Sequence, residues 1–184
     1  HSWTKNGNEN KKEISLDLPD HTVAFNTISD LLISPETGVI QQREDIKAIG
    51  HRVVHGGEHY TQTQIVTSEV KEAIKELIPL APLHNPANLI GINAAEKAFP
   101  NATQVAVFDT AFHQTMPPVA YRIAIPKKFY EEDGIRAYGF HGTSHKYVSE
   151  KAAAHLQKRE SKIITIHLGN GCSMSAVSNG VCID

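Results

Sequence analysis

The sequence predicts an α/β layered fold with a mixed sheet. Two observations carry this. Strand-length apolar runs at 46–54, 104–108 and 162–167 alternate with helical patterns, as layered α/β folds require. Near the end, Gly169-Asn170-Gly171 and Asn179-Gly180 are tight glycine turns, which make antiparallel neighbours of the last strands. The chain shows neither an internal repeat nor a low-complexity tract.

Taken in order, residues 1–11 are polar and read as a flexible lead-in. Residues 12–18 alternate, with Ile14, Leu16 and Leu18 on one face, and read as a strand ended by Pro19. Asp20 can cap a helix carrying Val23, Ile28, Leu31 and Leu32, which stops before Pro35. Residues 34–44 form a loop. The strand at 46–54 runs into a sharp turn at His55-Gly56-Gly57. Thr67 or Ser68 caps a helix to about Ile78, with Val70, Ile74, Leu77 and Ile78 at helical spacing. Pro79 and Pro82 favour an extended stretch over 80–84. Asn85-Pro86 starts a helix that ends near Phe99. The strand at 104–108 delivers Asp109 to its C-terminal end, and a loop containing His113 follows. Residues 119–125 suggest a short strand and 126–132 a helical turn. At 138–148, Tyr-Gly-Phe-His-Gly-Thr-Ser-His-Lys-Tyr-Val leads into a helix to about Lys158. There Thr143 or Ser144 can cap the helix, and Gly139 and Gly142 permit close approach or positive φ. A buried strand at 162–167 precedes the turns named above, with return strands at 173–177 and 181–183.

Composition narrows the function. The 184 residues allow one domain, or one and a part. A net charge of -2 without a dense basic stripe argues against a nucleic-acid partner. Short apolar runs argue against a membrane span, and the polar N-terminus cannot be a secretory signal. Two cysteines, Cys172 and Cys182, suggest a reducing compartment, here the cytoplasm, although one bridge would be possible. The chain lacks an initial Met and stops within a strand-like run, which suggests a piece of a longer protein.

Several residues could carry chemistry. Arg52, between apolar neighbours at a strand end, suits a carboxylate or phosphoryl group gripped by two parallel hydrogen bonds; it equally suits an ion pair with a nearby acid. Asp109 can hold Mg²⁺, orient a reacting group, or cap its own loop. His141 lies beside a helix start, where anions gather. His84 can contact a ligand or serve the structure. Asn170 sits in a turn whose consecutive N–H groups can form an anion nest, or simply close a hairpin. His113 and His145 read as supporting residues. Arg52, Asp109 and Asn170 all fall near carboxyl ends of strands, where open α/β sheets bind ligands. Eleven histidines invite a metal-site reading. They are scattered, however, and form no HExxH pattern, so no metal ligand set is assigned and a zinc hydrolase is the weaker option.

Five stretches together resemble the acetate and propionate kinases: His51 to Gly57, Ala81 to Pro86, Val107 to Pro118, Tyr138 to Val148, and His167 to Gly171. They occur in that family's order and cover nearly everything after residue 45. The resemblance implies an incomplete actin-like ATPase (ribonuclease H-like) domain. Residues 1–184 would be part of the N-terminal acyl-substrate and phosphate-binding domain, without the C-terminal nucleotide domain. It implies reversible transfer of the ATP γ-phosphoryl to acetate or another short carboxylate, with Mg²⁺ and ADP as product, in a protein that is a homodimer at full length. On the matching positions, Arg52 would hold carboxylate and phosphoryl, Asp109 would position substrate or metal, and His141 would stabilise the phosphoryl in flight. Val54, Leu83 and Phe140 would wall the acyl pocket with His84 at its side. His167, Gly169, Asn170 and Gly171 would face the nucleotide phosphates. A valine at 54 is similar to the acetate-preferring form. The family's Asn-Ala-Gly-Ser-Ser-Ser phosphate turn is not in this chain, nor is the domain that supplies an adenine pocket, a second arginine and a metal-binding glutamate. This leaves the isolated chain with a half-built nucleotide site and no expected turnover.

Overall fold

The computed structural model describes residues 2–5, 7–158 and 160–184. Of the expected flexible lead-in, His1 and Asn6 lie outside the described residues. The rest is an antiparallel hairpin of β1 (Ser2–Lys5) and β2 (Asn8–Lys11) rather than a loose tail. Residues 12–19 are not a strand. They run irregularly, with Ile14, Leu16 and Leu18 exposed, because no neighbouring strand among the described residues offers a ladder to them.

Helix α1 (His21–Ile33) starts as expected, with the Asp20 carboxylate accepting from the Val23 N–H at 2.8 Å. Its anchor differs from the sequence reading. Phe25 packs on Phe99, while Val23 and Ile28 face outward. Strand β3 (Ala48–Val53) pairs in parallel with β5 (Thr103–Phe108), and β4 (Gln64–Ile65), unforeseen and only two residues long, pairs antiparallel with β5. This three-stranded sheet, in the order β3-β5-β4, is mixed as predicted, but through β4 rather than through the terminal meander, whose strands form a separate antiparallel sheet. Helix α2 (Ser68–Glu76) is capped by Thr67. The prolines at 79 and 82 yield a 3-10 turn and bends over 78–84 rather than an extended stretch, because Leu80, Ala81 and His84 N–H groups all bond back locally. Helix α3 (Asn85–Ala98) then covers the sheet. Val53, Val70, Ile74, Ile92, Ala106 and Phe108 form the core between α2, α3 and this sheet.

Asn85 does not cap α3 as its place before Pro86 suggests: it is the first helical residue, His84 holds the cap position, and no side chain makes a cap bond. Asn85 is fully buried, accepts from the His55 N–H at 3.1 Å, and donates to the carbonyls of His55 and Ile74 at 3.2 and 3.0 Å. With Asn88 accepting from the Val54 N–H, it fixes the turn after β3. Asn85→Ala leaves three buried backbone groups without partners. Each such loss costs ~1–3 kcal/mol, so we expect roughly 3 kcal/mol or more of destabilisation in urea unfolding. A change below ~1 kcal/mol would show that the turn holds itself.

Beyond β5 come a 3-10 segment at Ala111–Thr115 and the short helices α4 (Pro118–Tyr121) and α5 (Lys128–Glu131). The expected strand at 119–125 is absent, because Pro117 and Pro118 seed a helical turn there instead. Helix α6 (Gly142–Leu156) packs on an antiparallel meander of β6 (Lys162–Leu168), β7 (Cys172–Ser178) and β8 (Val181–Cys182). Asn179 (φ 54°) and Gly180 (φ 81°) make its second turn. Strand β6 is not buried on both faces as the apolar run suggests. Thr165 points inward, whereas Ile164, Ile166 and Leu168 are 54–78% exposed. Antiparallel sheets tolerate this, since α6 covers one face only.

Candidate active site

Strands β3 and β5 run side by side and end together, with Val53 opposite Phe108. Arg52, one residue before that end and opposite Val107, shares a sheet face with Asp109, the residue just past β5. The Arg52 guanidinium grips the Asp109 carboxylate through Nε (3.0 and 3.2 Å) and Nη2 (2.6 Å). Asp109 is 2% exposed and Arg52 62% exposed at the side chain, so the acid is the buried anchor and the arginine the open arm. The ion pair raises the already high pKa of Arg52, chiefly through the hydrogen bond with Asp109. Arg52 remains a permanent cation, and its Nη1 stays outside the pair. The structural reading of Arg52 and the ligand-binding one are thus compatible.

His141 reaches the same place from α6. It is the N-cap residue, in left-handed backbone geometry (φ 56°), and its side chain makes no cap bond. Thr143 and Ser144 lie within the first turn instead of capping it, and Ser144 Oγ is spent on His167 Nδ1 at 3.0 Å. The Gly142 N–H donates to the Asp109 carbonyl at 2.9 Å and ties the helix start to the end of β5. The His141 ring stacks on His167 (centroids 4.1 Å apart, 11° between planes) and bonds Ser173 Oγ through Nδ1 at 2.8 Å. Desolvation first, then the neighbouring His167, lowers its pKa, with Asp109 opposing and Arg52 adding to the shift. It is therefore a neutral imidazole at pH 7. A left-handed non-glycine residue held by a stack and a hydrogen bond is the sort of strain that clusters at working sites.

Two joined clefts open here. The first, ≈ 650 Å³, has an apolar wall that includes Val54, Leu80, Ala81, Leu83 and Phe140, with His84 beside them. The second, ≈ 630 Å³, is lined by polar groups including His51, Thr143, Ser144 and His167. Arg52, Asp109, His141, Asn170 and Gly171 line both. The structure thus brings together every candidate from the sequence except Gly169. That residue shapes the β6–β7 turn, its N–H bonding the Gly171 carbonyl at 2.9 Å, without lining either cleft. Leu83 is 85% exposed and stands at the rim rather than as a closed wall. A Cβ on Gly171 would lie 3.2 Å from His141 Cε1, so glycine keeps the turn and the ring close.

His113 supports the site from below. Its Nε2 donates to the Phe140 carbonyl at 2.9 Å, and its Nδ1 meets the Cys182 thiol at 3.2 Å. Gly139 (φ 73°) passes so close that a Cβ there would sit 2.4 Å from His113 Cγ. Cys172 and Cys182 are both free. Sequence reasoning missed Ser173, Thr165, Asn85 and Thr110, whose Oγ1 accepts from the Gly56 N–H at 3.0 Å. One signal was available. Thr165, His167, Ser173 and Ser175 share the inward face of β6 and β7, a polar alternation where an ordinary core strand carries apolar groups.

Burial drives the pKa of both His55 and His145 down to about 4. The sign follows directly. An unfolded histidine takes up its proton near pH 6.5, whereas these resist until about 4. Their stabilisation is complete above pH 6.5 and is lost as pH falls through 4. We expect urea midpoints to drop between pH 6.5 and 4, by at most ~1.4 kcal/mol per pH unit for each histidine. A flat profile over that window would contradict their burial as neutral groups.

The whole chain, residues 1–184, matches the model of the acetokinase family. It is 59% identical over 175 residues to an acetate kinase of Flavobacterium johnsoniae, covering 95% of this chain and 44% of that protein. It is 54% identical over 178 residues to an acetate kinase of Thermotoga maritima, covering 96% and 44%. It superposes on the crystal structure of Porphyromonas gingivalis acetate kinase with a TM-score of 0.85 and 49% identity, covering 92% of this chain and 43% of that one. A propionate kinase from Francisella tularensis gives 0.82 and 48%, covering 89% and 41%. The chain spans less than half the length of these relatives.

Proposed function

Since this chain belongs to the acetokinase family, we propose that it forms the acyl and phosphoryl half of an active site that transfers the γ-phosphoryl of ATP to acetate, reversibly. The observation that carries this is the position of Arg52, Asp109 and His141 at the junction of an apolar cleft and a polar one. A short carboxylate fits the first, with its methyl against Val54 and Phe140. The nucleotide phosphates fit the second, beside Asn170 and Gly171. In this reading residues 1–184 belong to an N-terminal domain, and the adenine side lies in a domain outside this chain.

A carboxylate is already nucleophilic at neutral pH, so no strong base is needed. The difficulty is bringing two anions together and stabilising a planar, charged phosphoryl group between them. The Arg52 guanidinium spans acceptor and phosphoryl and offsets their repulsion. Neutral His141 donates a hydrogen bond where charge spreads over the equatorial oxygens. Asp109 holds Arg52 in place. Among the described residues no group of three or more His, Cys, Asp or Glu side chains is placed to hold a metal ion. The single carboxylate of Asp109 nevertheless suits Mg²⁺, which favours one or two carboxylates plus substrate phosphates. Held there, Mg²⁺ would neutralise charge on the phosphates. No helix among the described residues is long and apolar enough to cross a membrane. We place the enzyme in the cytoplasm, as a homodimer at full length.

Hydroxylamine trapping of acyl phosphate by the longer protein that contains this chain tests the proposal, with acetate, propionate and butyrate compared. Val54, buried against the apolar cleft, favours acetate. Residues 1–184 alone are expected to show no turnover. Absence of acyl hydroxamate with every acid would overturn the reading.

A further inference from the structure

His141 can stabilise a phosphoryl group only if its outward nitrogen carries the proton, and nothing in the cleft fixes that. Behind the ring, however, lies an unbroken chain of short contacts. Thr165 Oγ1 is 2.7 Å from His145 Nδ1, His145 Nε2 is 2.8 Å from Ser173 Oγ, and Ser173 Oγ is 2.8 Å from His141 Nδ1. Thr165 and His145 are 3% and 1% exposed. We infer that Thr165, His145 and Ser173 are positioning residues that set which ring nitrogen of His141 holds its proton; the use made of that proton rests on the phosphoryl-transfer reading above.

The logic is one of counting protons. A neutral imidazole has one N–H and one lone pair, and each hydroxyl has one proton to give. His145 is neutral because burial, reinforced by His113, His141 and His167, holds its pKa near 4. The chain therefore runs in one direction or the other as a whole. If Thr165 donates to His145 Nδ1, then His145 Nε2–H donates to Ser173, Ser173 donates to His141 Nδ1, and His141 presents Nε2–H. If Thr165 donates elsewhere, the chain reverses and His141 presents a bare lone pair. The other acceptor for Thr165 is the Ser175 carbonyl, at 3.4 Å against 2.7 Å to His145. The 2.7 Å contact persists whichever way the chain runs, so the Thr165 proton decides: in the reversed chain this buried hydroxyl is left with an acceptor 3.4 Å away, beyond the range of a good O–H···O bond, and the first direction results. The Cε1–Nε2 edge of His141 faces Gly171, which lines both clefts, so the proton is delivered to the site. Around His141 stand His167 from β6, Asp109 beyond β5, Arg52 from β3 and His145 from α6, and none of these bonds its Nδ1.

The test reads the tautomer directly. In residues 1–184 labelled with ¹⁵N-histidine, two-bond ¹H–¹⁵N spectra at pH 7.5 report which ring nitrogen is protonated. The expected result is a single Nε2–H form for His141. Thr165→Val, which touches no atom of His141, should convert this to a mixture, and Thr165→Ser should restore the single form. The His51 signal, bonded to Gln104 at 2.8 Å on β3 and outside the Thr165–His145–Ser173 chain, verifies the fold. Should Thr165→Val unfold the chain, Ser173→Ala provides the same test, with the same mixture expected. A bare His141 Nε2 in the parent chain, or a single Nε2–H form that survives in the folded variant, would overturn the inference. These spectra need no turnover. A failure of the chain is thus separable from a failure of the kinase reading, which the hydroxamate assay decides.

Discussion

Arg52→Ala is expected to lower acyl phosphate formation by the longer protein ~10²–10³-fold, the usual loss when one preorganised donor to developing charge is removed. The geometry says where the loss falls. Arg52 projects from the end of β3 with its side chain open to both clefts, while Asp109 beneath it is almost wholly buried. Alanine removes the only cation among the residues that line both clefts. It also strands the Asp109 carboxylate, so part of the measured loss would be structural. Arg52→Lys separates the two contributions. Lysine keeps the charge but cannot reproduce the three contacts of the fork to Asp109. We expect it to recover most of the stability and little of the turnover. Urea unfolding beside the kinetic assay makes the distinction. Full turnover with lysine would reduce the role of Arg52 to that of a point charge.

Gly142→Ala is the second large effect. Alanine is normally the better helix residue, by ~1 kcal/mol in a helix interior and less at an end. Here a Cβ would lie 2.3 Å from the Asp109 carbonyl oxygen and 3.0 Å from Phe112 Cβ. The first of these atoms is backbone and cannot rotate away. Relief requires α6 to retreat from β5, which breaks the hydrogen bond from Gly142 N to Asp109 O. Overpacking of this kind costs ~1–3 kcal/mol and outweighs the propensity gain. The retreat also carries His141, the preceding residue, away from Arg52. Lower thermal stability and lower turnover are therefore expected together. An alanine variant as stable as the parent would show that the helix start is free to move.

Much of this architecture was legible in the sequence, for local reasons. Asp20 and Thr67 cap helices because short oxygen-bearing side chains do so wherever the chain allows. Asn179-Gly180 turns because both positions need positive φ. The strand ends that carry Arg52 and Asp109 follow from apolar runs of the right length. What failed was context. Residues 12–18 have a strand pattern, but no partner strand is at hand among the described residues. Residues 119–125 are rich in β-favouring side chains, yet Pro117 and Pro118 set the backbone first. The cap expected at Thr143 or Ser144 moved to His141, because the Asp109 carbonyl already engages the Gly142 N–H. The pair of Arg52 and Asp109 was foreseeable as two separate residues. Their meeting was not, since it depends on the parallel register of β3 on β5, which brings together two residues 57 apart in the chain.

The claim that unites these points is that Arg52, Asp109 and His141 surround one small anion. A titration of isotopically labelled residues 1–184 with acetyl phosphate, followed by NMR, tests it most directly. The account predicts saturable movement of the His141 ring and Val54 methyl signals together, abolished by Arg52→Ala. Saturable binding that leaves His141 and Val54 unmoved, or that survives Arg52→Ala unchanged, would contradict it.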